Sequence, residues 1–323
     1  MKNMISTAFA ALLLLSSTSS YNYSPVEVDT DNHTYTISDV VELQSFLLGR
    51  ITTTKRMDYD LYKDGKWDVF DLCLLKREVI NSMNTKNMDI DLNGVTFKMI
   101  FVEAGTFTMG SDNTNVAFSE SPAHKVTLTQ DYLMGETEVT EALWNAVMGN
   151  GGGSNTHPKT SVTWNEAHTF VDRLTEIARE QGLISDDMRF RLPTEAQWEF
   201  AAKGGNQSKG YLYSGSNDIN EVAVTYENSG SNAPIDVKTK APNELGLYDM
   251  SGNAYEWVDD YGGDYSAEEQ TNPQNTSGRN YVKRGGSNYH SFDSESYLFT
   301  TTGRYFYSST DWTIGLRICL ISD

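Results

Sequence analysis

The stretch Arg191-Leu-Pro-Thr-Glu-Ala-Gln-Trp-Glu-Phe-Ala-Ala202 carries the most specific structural signal in this sequence. Pro193 suits the first turn of a helix, because the N–H group that proline lacks would have no partner there. Thr194 and Glu195 follow directly, and side chains of these types are common at helix starts. The stretch therefore predicts a helix that starts at Pro193.

The segments around this stretch have strand and helix patterns. Residues 97–107 alternate like a strand, and residues 124–128 have the pattern of a second strand. Residues 140–148 have the pattern of a capped helix that Gly149 ends, and residues 163–174 have the spacing of a longer amphipathic helix. Elements of both kinds are therefore expected after residue 93.

Short motifs accompany these elements. In chain order they are Met109-Gly110, Glu138-Val-Thr140, Arg191–Ala202, Pro242-Asn-Glu-Leu-Gly-Leu-Tyr-Asp-Met250, Ser251-Gly-Asn-Ala-Tyr-Glu-Trp257, Arg284-Gly-Gly-Ser287 and Gly315-Leu-Arg317. In this order they resemble the formylglycine-generating enzyme family, also called the sulfatase-modifying factor family, over nearly all of residues 94–323. The resemblance implies an α+β domain related to the C-type lectin fold, with bound calcium. It also implies an activity, which is oxidation of a sulfatase cysteine to formylglycine with oxygen and copper held by two thiolates.

The chain departs from this family at the catalytic positions. In the catalytic members two cysteines follow the Arg-Gly-Gly-Ser motif by a few residues, and the corresponding residues here are His290 and Glu295. Soft thiolates suit Cu(I), and neither of these side chains is a thiolate. Cys319 lies beyond the Gly-Leu-Arg motif, on the expected last strand, and cannot supply a pair. We therefore assign no catalytic residue and expect no copper, while activity by another route stays open.

The segment between Arg284 and Arg317 has the composition of a binding surface. Gly285-Gly286 predicts a tight, buried turn at its start. Tyrosine and other rings follow among small polar residues, a mixture typical of surfaces that bind ligands. The ligand-surface candidates are Tyr289, His290, Phe292, Tyr297, Tyr305, Tyr307 and Trp312.

Other polar residues of this domain have weaker signals. The resemblance places a calcium ion at the Gly252 turn, with Asn253 and Glu256 as side-chain ligands; the alternative is a turn whose side chains bond the backbone. Asp259 and Asp260 are as well explained as solvated surface, and His168 as a packing residue. Both cysteines of the chain, Cys73 and Cys319, are interpreted as small buried side chains.

The N-terminus has the pattern of a secretory signal peptide, assigned to residues 1–22. Lys2 precedes the apolar run from Ala8 to Leu15, and small residues follow it. The apolar run is shorter than the roughly 20 residues that a spanning helix needs. We therefore expect a secreted, extracellular protein without membrane insertion.

Residues 25–82 contain a duplicated pattern, because residues 35–48 and 67–80 are alike. The second unit contains a loop with the oxygen spacing of an EF-hand, in which Gly65 supplies the sharp turn. The calcium candidates in this loop are Asp60, Asp64, the Lys66 carbonyl, Asp68 and Asp71. Tyr62 stands where another oxygen ligand is usual, and the alternative is an Asp-rich turn before a capped helix.

With its duplicated layout and Asp at the last loop position, this small all-α module resembles a dockerin. Dockerins are calcium-dependent modules that bind the cohesins of a cellulosome scaffold. The resemblance implies cohesin contacts from Ile37, Ser38, Val69, Phe70, Lys76 and Arg77. Calcium binding by the first loop is left open. A linker is expected over residues 83–93, before the larger domain of residues 94–323.

The chain of 323 residues has a formal net charge of -19. Nucleic acid and anionic membranes are therefore excluded as expected partners, since both require clustered Lys and Arg. The function predicted first is a cellulosome-associated protein whose catalytically degenerate domain binds an unknown protein or glycan ligand. The alternatives are a formylglycine-generating oxidase that activates sulfatases and a purely structural cellulosome component.

Overall fold

The structure is a computed structural model that describes residues 37–50, 61, 66–69, 71–75, 86–113, 118–149, 155–231 and 233–322. The chain divides into two compact units, Met1–Ser82 and Met83–Asp323. The predicted signal peptide, Asp60, Asp64, Phe70, Lys76, Arg77 and the side chains of Ile37 and Ser38 lie outside the described residues. Within the described ranges, no helix is both long enough and apolar enough to cross a membrane.

The first unit contains the helix Ile37–Leu47 and a second helical segment at residues 71–75. Leu43 and Leu75 are fully buried, and the rings of Phe46 and Trp67 meet edge to face at 5.3 Å. These contacts join the two halves of the duplicated pattern through apolar side chains.

Two predicted ligands of the calcium loop interact with each other at the start of the second helical segment. Asp71 is fully buried, and its Oδ2 accepts a hydrogen bond of 2.9 Å from the Asp68 N–H group. Val69, a predicted cohesin contact, is 49% exposed. Cys73 is also exposed, so the prediction that it is buried is wrong. The apolar period of this helix places Leu75 in the core and leaves Cys73 on the outer face.

The second unit is built from strands and helices. Its strands are β1 (Met88–Leu92), β2 (Val95–Val102), β3 (Gly105–Met109), β4 (His124–Leu128), β5 (Tyr132–Gly135), β6 (Met188–Arg191), β7 (Tyr255–Tyr261), β8 (Gln270–Thr271), β9 (Tyr281–Arg284), β10 (Arg304–Tyr307), β11 (Ile314–Leu316) and β12 (Cys319–Ser322). They form sheets in the orders β1-β2-β5-β12-β6, β10-β9-β7-β11 and β3-β4-β8. The pairs β7–β11 and β4–β8 are parallel, and the remaining pairs are antiparallel.

The helices of this unit are α1 (Glu141–Met148), α2 (Trp164–Glu180), α3 (Glu195–Ala202), α4 (Ile219–Val222), α5 (Tyr226–Ser229) and α6 (Phe292–Glu295). The predicted helices at 140–148 and 163–174 are confirmed as α1 and α2, and α2 continues to Glu180. Gly149 ends α1 in the left-handed conformation, as predicted. At α3 the N-cap is Thr194, whose hydroxyl accepts from the Gln197 N–H group, so Pro193 precedes the helix instead of lying in its first turn.

Two predicted segments are divided differently in the structure. Residues 97–107 belong to two strands, β2 and β3, because the chain turns at residues 103–104 into another sheet. Residues 88–92 form β1 although they fall inside the predicted linker 83–93. Ile90 and Leu92 are buried on one side of β1, so the intervening aspartates hide a strand pattern in a polar segment.

The sheet β10-β9-β7-β11 has two different faces, and this difference positions the candidate site. Side chains that oppose each other across neighbouring strands lie on the same face. One face carries Trp257, Tyr261, Tyr281, Lys283, Tyr305 and Tyr307, as the pairs Trp257–Lys283, Tyr305–Lys283, Tyr307–Tyr281 and Tyr261–Tyr281 show. The other face carries the Glu256–Arg284 and Arg284–Arg304 pairs. One face is therefore aromatic and the other contains buried charges.

Candidate ligand-binding site

The turn Gly285-Gly286 places the site at the end of β9. Both glycines are buried and have positive φ values of 93° and 78°, which confirms the predicted tight turn. A Cβ atom on Gly286 would lie 3.0 Å from a ring carbon of Phe299 and 3.1 Å from the Leu298 carbonyl oxygen. Only glycine fits here without displacement. The chain then passes beside the Gly252 turn, where the Asn288 N–H group donates to the Asn253 carbonyl.

Beneath this turn, Arg284 connects β9 to the buried helix α3. Its guanidinium donates to Glu195 Oε1 at 3.1 Å and to Glu199 Oε2 at 2.6 Å, and it also binds the carbonyls of Thr301 and Thr302. Arg304 donates to both oxygens of Glu195 at 2.7 Å. Buried charges of this kind require nearly complete pairing. The network therefore holds both ends of residues 284–304 against one helix.

The pKa values of this network follow from its pairing. Burial raises the pKa of a carboxyl, but Lys203 and Arg284 reverse this effect and hold the pKa of Glu199 below its usual value. Burial alone would lower the pKa of the Arg304 guanidinium. The negative charge of Glu195 outweighs this effect, so the pKa of Arg304 lies above its usual value. The lowered pKa of Glu199 and the raised pKa of Arg304 keep these two groups charged inside the protein, and the network serves as support for the site.

The predicted calcium ligands at the Gly252 turn are engaged within the protein. Asn253 exchanges hydrogen bonds with the backbone of Ile235, as the alternative prediction described. Both oxygens of Glu256 accept from Arg317, and Oε2 also accepts from the Trp198 indole at 2.6 Å. No group of three or more His, Cys, Asp or Glu residues in the described ranges is arranged as a metal site. Calcium binding at this turn stays a prediction, and it would require Glu256 to exchange these contacts.

Two further carboxyls lie near Glu256 and Arg317. Burial and the neighbouring Asp249 charge raise the pKa of Glu138 well above its usual value. Burial also raises the pKa of Asp249 to about 6. Asp249 Oδ1 and Glu138 Oε2 are buried atoms without a hydrogen-bond partner within the described part of the chain. This group therefore carries more carboxylates than the single guanidinium of Arg317 can neutralise.

His290 and Glu295 are in direct contact. His290 Nδ1 lies 3.0 Å from Glu295 Oε2, and both side chains are partly exposed. These are the positions at which the resemblance places the copper-binding cysteines of catalytic members. The fold therefore brings the two positions together, but the side chains form an imidazole–carboxylate pair instead of a thiolate pair.

Lys283 lies in a cage of rings next to this pair. Its Nζ atom is 3.9 Å from the ring centroid of Tyr255 and 4.7 Å from that of Tyr307. Asp311 Oδ2 lies 3.6 Å from the same atom. Burial lowers the pKa of the Lys283 ammonium, and the Asp311 carboxylate opposes this effect. The cage thus holds a desolvated ammonium between two aromatic faces and one carboxylate.

Exposed rings surround the cage. Tyr289 is 54% exposed and Trp312 is 44% exposed, and their rings meet at 83° with centroids 5.0 Å apart. Ring contacts continue from Tyr289 to His290, from His290 to Tyr255, from Tyr255 to Tyr305 and from Tyr305 to Tyr297. We call this set the aromatic surface; its members are Tyr255, Lys283, Tyr289, His290, Tyr297, Tyr305, Tyr307 and Trp312.

Most of the predicted ligand-surface residues therefore come together in the structure. Phe292 packs against the apolar cluster that contains Ile219, Leu298 and Phe299, as Tyr297 and Tyr305 also do. Lys283 and Tyr255 lie in the middle of the aromatic surface, and neither was among the candidates. Strand alternation in Tyr281-Val-Lys-Arg284 could have placed Lys283 on a common face with Tyr281, but its partners come from distant segments.

Other predicted positions have structural roles. His168 Nε2 lies 3.1 Å from Asp259 Oδ1, and the His168 ring packs on Trp164, which confirms the packing role. Asp260 is buried instead of solvated and accepts hydrogen bonds from the Glu195 and Asn275 N–H groups. Cys319 is buried in β12, as predicted, and burial raises the pKa of its thiol to about 11. An unreactive thiol of this kind is consistent with a packing role.

Residues 91–320 match the family model described as the sulfatase-modifying factor enzyme 1-like domain, and the chain belongs to this family. The resemblance drawn from the motifs is therefore confirmed for the second unit. The mixture of helices and sheets in this unit agrees with that family.

The chain is similar to several characterised proteins. It is 30% identical over 208 residues to the "Chaperone protein LppX" of Paenibacillus barcinonensis, covering 50% of this chain and 71% of that protein. It is 27% identical over 260 residues to the formylglycine-generating enzyme of Mus musculus, covering 59% of this chain and 66% of that enzyme. Among solved structures, it resembles Treponema denticola variable protein 1 with a TM-score of 0.62 and 29% identity, covering 72% of this chain and 98% of that one.

Proposed function

We propose that the second unit is a ligand-binding module whose site is the aromatic surface. The observation that carries this proposal is the contact between His290 and Glu295 at the positions of the catalytic cysteines. The copper chemistry of the family requires soft ligands, and this pair supplies a nitrogen and a hard oxygen. Exposed Tyr289 and Trp312 rings beside the pair offer the rigid amphipathic contacts typical of binding surfaces.

Relatives named for roles other than oxidation support this proposal. The similar Paenibacillus protein is named a chaperone, and the similar Treponema structure is named a variable protein. We propose that this chain shares with them a C-type-lectin-like scaffold whose surface residues differ from one member to another. The ligand class is a protein or a glycan, since neither nucleic acid nor a membrane suits a net charge of -19.

Protein and glycan arrays test the proposal directly. The full chain is compared with the Tyr289→Ser/Trp312→Ser double variant, in which both exposed rings are lost. A matched control is Leu212→Ser, which removes a side chain that is 45% exposed and lies outside the aromatic surface. We expect signals that disappear in the double variant and persist in the control. Equal loss in both variants, or no ligand that depends on the rings, would contradict a site at this surface.

The second candidate function is a formylglycine-generating oxidase or a related activity, which family membership and the similarity to the mouse enzyme favour. In this case His290 and Glu295 would act by a route without thiolates. The matched regions span 66% of the mouse enzyme and 35% of the bovine one, so an oxidase activity of this chain is itself a proposal. Mass spectrometry of a sulfatase peptide after incubation with the protein, copper and oxygen distinguishes this function from ligand binding.

For the first unit we propose a dockerin that binds calcium and docks to a cohesin of a scaffold protein. The fully buried Asp71 carboxylate supports this proposal, because Oδ2 accepts from the Asp68 N–H group and so faces the backbone of the predicted loop. The exposed Val69 side chain offers a contact at the adjoining surface. We also propose that the protein is secreted and displayed at a cellulosome or cell surface, and that calcium is its cofactor.

Calorimetric titration with calcium, followed by titration with cohesins of the same organism, tests this part. The Asp68→Ala/Asp71→Ala variant removes two loop ligands and is expected to lose calcium binding and cohesin binding together. Cohesin binding that persists in the presence of a chelator would contradict a calcium-dependent dockerin. Calcium-dependent binding by the variant would show that other residues hold the ion.

A further inference from the structure

We propose that the corner between Tyr289 and Trp312 binds an organic ammonium group, such as an alkylated amine or a lysine side chain. This inference rests on the proposed ligand-binding function and names the chemical class that the site selects. It is carried by three features: an ammonium that the protein already binds next to the corner, the geometry of the two exposed rings, and the charge around them.

The first feature is the internal cage around Lys283. Nζ lies 3.9 Å from the Tyr255 centroid and 4.7 Å from the Tyr307 centroid, and the Asp311 carboxylate lies 3.6 Å away. The faces of aromatic rings carry negative charge and attract cations most strongly where water is excluded. The aromatic surface therefore already stabilises one ammonium at a position that is nearly inaccessible to water.

The second feature is a pair of exposed rings, Tyr289 and Trp312, over which no lysine or arginine of the described ranges lies. Tyr289 and Trp312 meet edge to face at 83° with centroids 5.0 Å apart, so their ring planes are nearly perpendicular. Both rings are about half exposed, whereas Tyr255 is buried. Trp is the ring that attracts cations most strongly. Each ring therefore leaves part of its surface free to contact a cation from another molecule.

The third feature is the charge around the corner. Glu295 is joined to Tyr289 through His290, and it faces an imidazole instead of a permanent cation. Asp311 precedes Trp312, and its Oδ1 accepts from the Thr313 backbone while Oδ2 faces Lys283. Exposed Asp293 and Glu227 belong to the same region, where Glu227 accepts from the Phe292 N–H group. The carboxylates attract a cation, and the rings select one that is weakly hydrated.

The probe is choline, compared with 3,3-dimethylbutan-1-ol, which has the same shape without the charge. Binding to the full chain is measured by calorimetry and by the indole N–H resonance of Trp312, assigned from its absence in Trp312→Leu. We expect choline to bind and the affinity of the neutral probe to be lower by about tenfold or more, since the charge supplies the attraction. Equal binding of both probes, or no binding of choline, would overturn the proposal.

Variants locate the site. Trp312→Leu and Tyr289→Leu keep apolar side chains and are each expected to weaken choline binding about tenfold, whereas Trp312→Phe weakens it less. Glu295→Gln is expected to weaken it severalfold, and its control is Glu269→Gln, which removes an exposed carboxylate that pairs with Lys125 elsewhere. Unchanged affinity in both leucine variants would overturn the proposal, because choline would then bind at another place.

A last comparison identifies the source of the ammonium group. Peptides with a central lysine, trimethyllysine or norleucine are titrated under the same conditions. Binding of the lysine peptides but not of the norleucine peptide indicates a protein partner, and binding of choline alone indicates a small amine. An array ligand that requires Tyr289 and Trp312 but contains no ammonium group would overturn this inference and leave the proposed ligand-binding function intact.

Discussion

His290 Nδ1 lies 3.0 Å from Glu295 Oε2, and these are the two positions at which the family resemblance places the copper-binding cysteines of catalytic members. The separation is that of a hydrogen bond, so the turn after Gly286 and helix α6 still bring these positions together. At these two positions the chain carries an imidazole and a carboxylate. An imidazole and a carboxylate cannot hold Cu(I) as two thiolates would.

Restoring the thiolates tests this relationship. The His290→Cys/Glu295→Cys double variant is expected to bind equimolar Cu(I) in competition with a chromogenic chelator, because two soft ligands would converge on one ion. The native chain is the control and is expected to leave the chelator fully loaded. A double variant that does not withdraw copper would show that the two positions do not converge closely enough to share a metal.

Gly286→Ala tests the turn that positions the pair. The positive φ of 78° and the contact of 3.0 Å with Phe299 add strain and crowding, and the expected loss in unfolding free energy is about 2–4 kcal/mol. Gly230→Ala is a matched control, because Gly230 has a φ of 63° and no atom within 4 Å of the added Cβ. Urea denaturation of both variants separates crowding from backbone strain. Equal losses would show that the Phe299 contact relaxes without cost.

Lys283→Met tests the internal cage. The substitution keeps most of the apolar stem but leaves Asp311 without its cation and the Tyr255 face without an ammonium, so we expect a loss of about 1–3 kcal/mol. Lys125→Met is the control, because the Lys125–Glu269 pair is largely exposed and should contribute less than about 1 kcal/mol. Thermal denaturation at equal pH compares them. An equal effect of the two substitutions would contradict a stabilising cage.

Asp249→Asn tests the buried carboxyls near Arg317. Folding raises the pKa of Asp249 from 3.8 to about 6, so this group stabilises the protein most at low pH, and the contribution is lost as pH rises through about 6. The loss corresponds to about 3 kcal/mol between pH 4 and 7. The unfolding free energy of the variant should decrease less between pH 4 and 7 and be higher at pH 7, because asparagine does not ionise. Asparagine also tolerates the positive φ of 57° at this position.

The measurement for this prediction is the free energy of unfolding of both proteins in urea between pH 4 and 7.5. Taking the difference between the two proteins cancels the titration of the shared carboxylates other than Glu138, whose pKa the Asp249 charge also raises. Glu138 keeps a raised pKa through its own burial, so part of the slope remains in the variant. A difference that does not change with pH would contradict the raised pKa of Asp249.

The sequence predicted those elements whose signals are local. The cap at Thr140 and the stop at Gly149 depend on neighbouring residues, and each is confirmed. The family was also predictable, because its motifs combine such local features in a fixed order. By contrast, β1 was hidden by its outward aspartates, and the division between β2 and β3 depends on the sheet that each joins.

The candidate site was predictable only in part, for the same reason. The rings of Tyr289, Tyr305 and Trp312 belong to one unusual segment, so composition was enough to select them. Lys283 looked like an ordinary strand residue, and its cage consists of rings from β7 and β10 together with Asp311. Likewise, Glu256 was assigned to calcium from its motif, but its partner Arg317 is 61 residues away along the chain.

The most direct test of the central claim, that the aromatic surface binds a ligand and does not oxidise cysteine, is mass spectrometry of a sulfatase peptide. The peptide is incubated with the full chain, copper and oxygen, and a catalytic relative such as the mouse enzyme serves as the positive control. We predict that the peptide cysteine keeps its mass with this chain and is converted to the aldehyde by the control. Aldehyde formation by this chain, lost in His290→Ala, would contradict the claim.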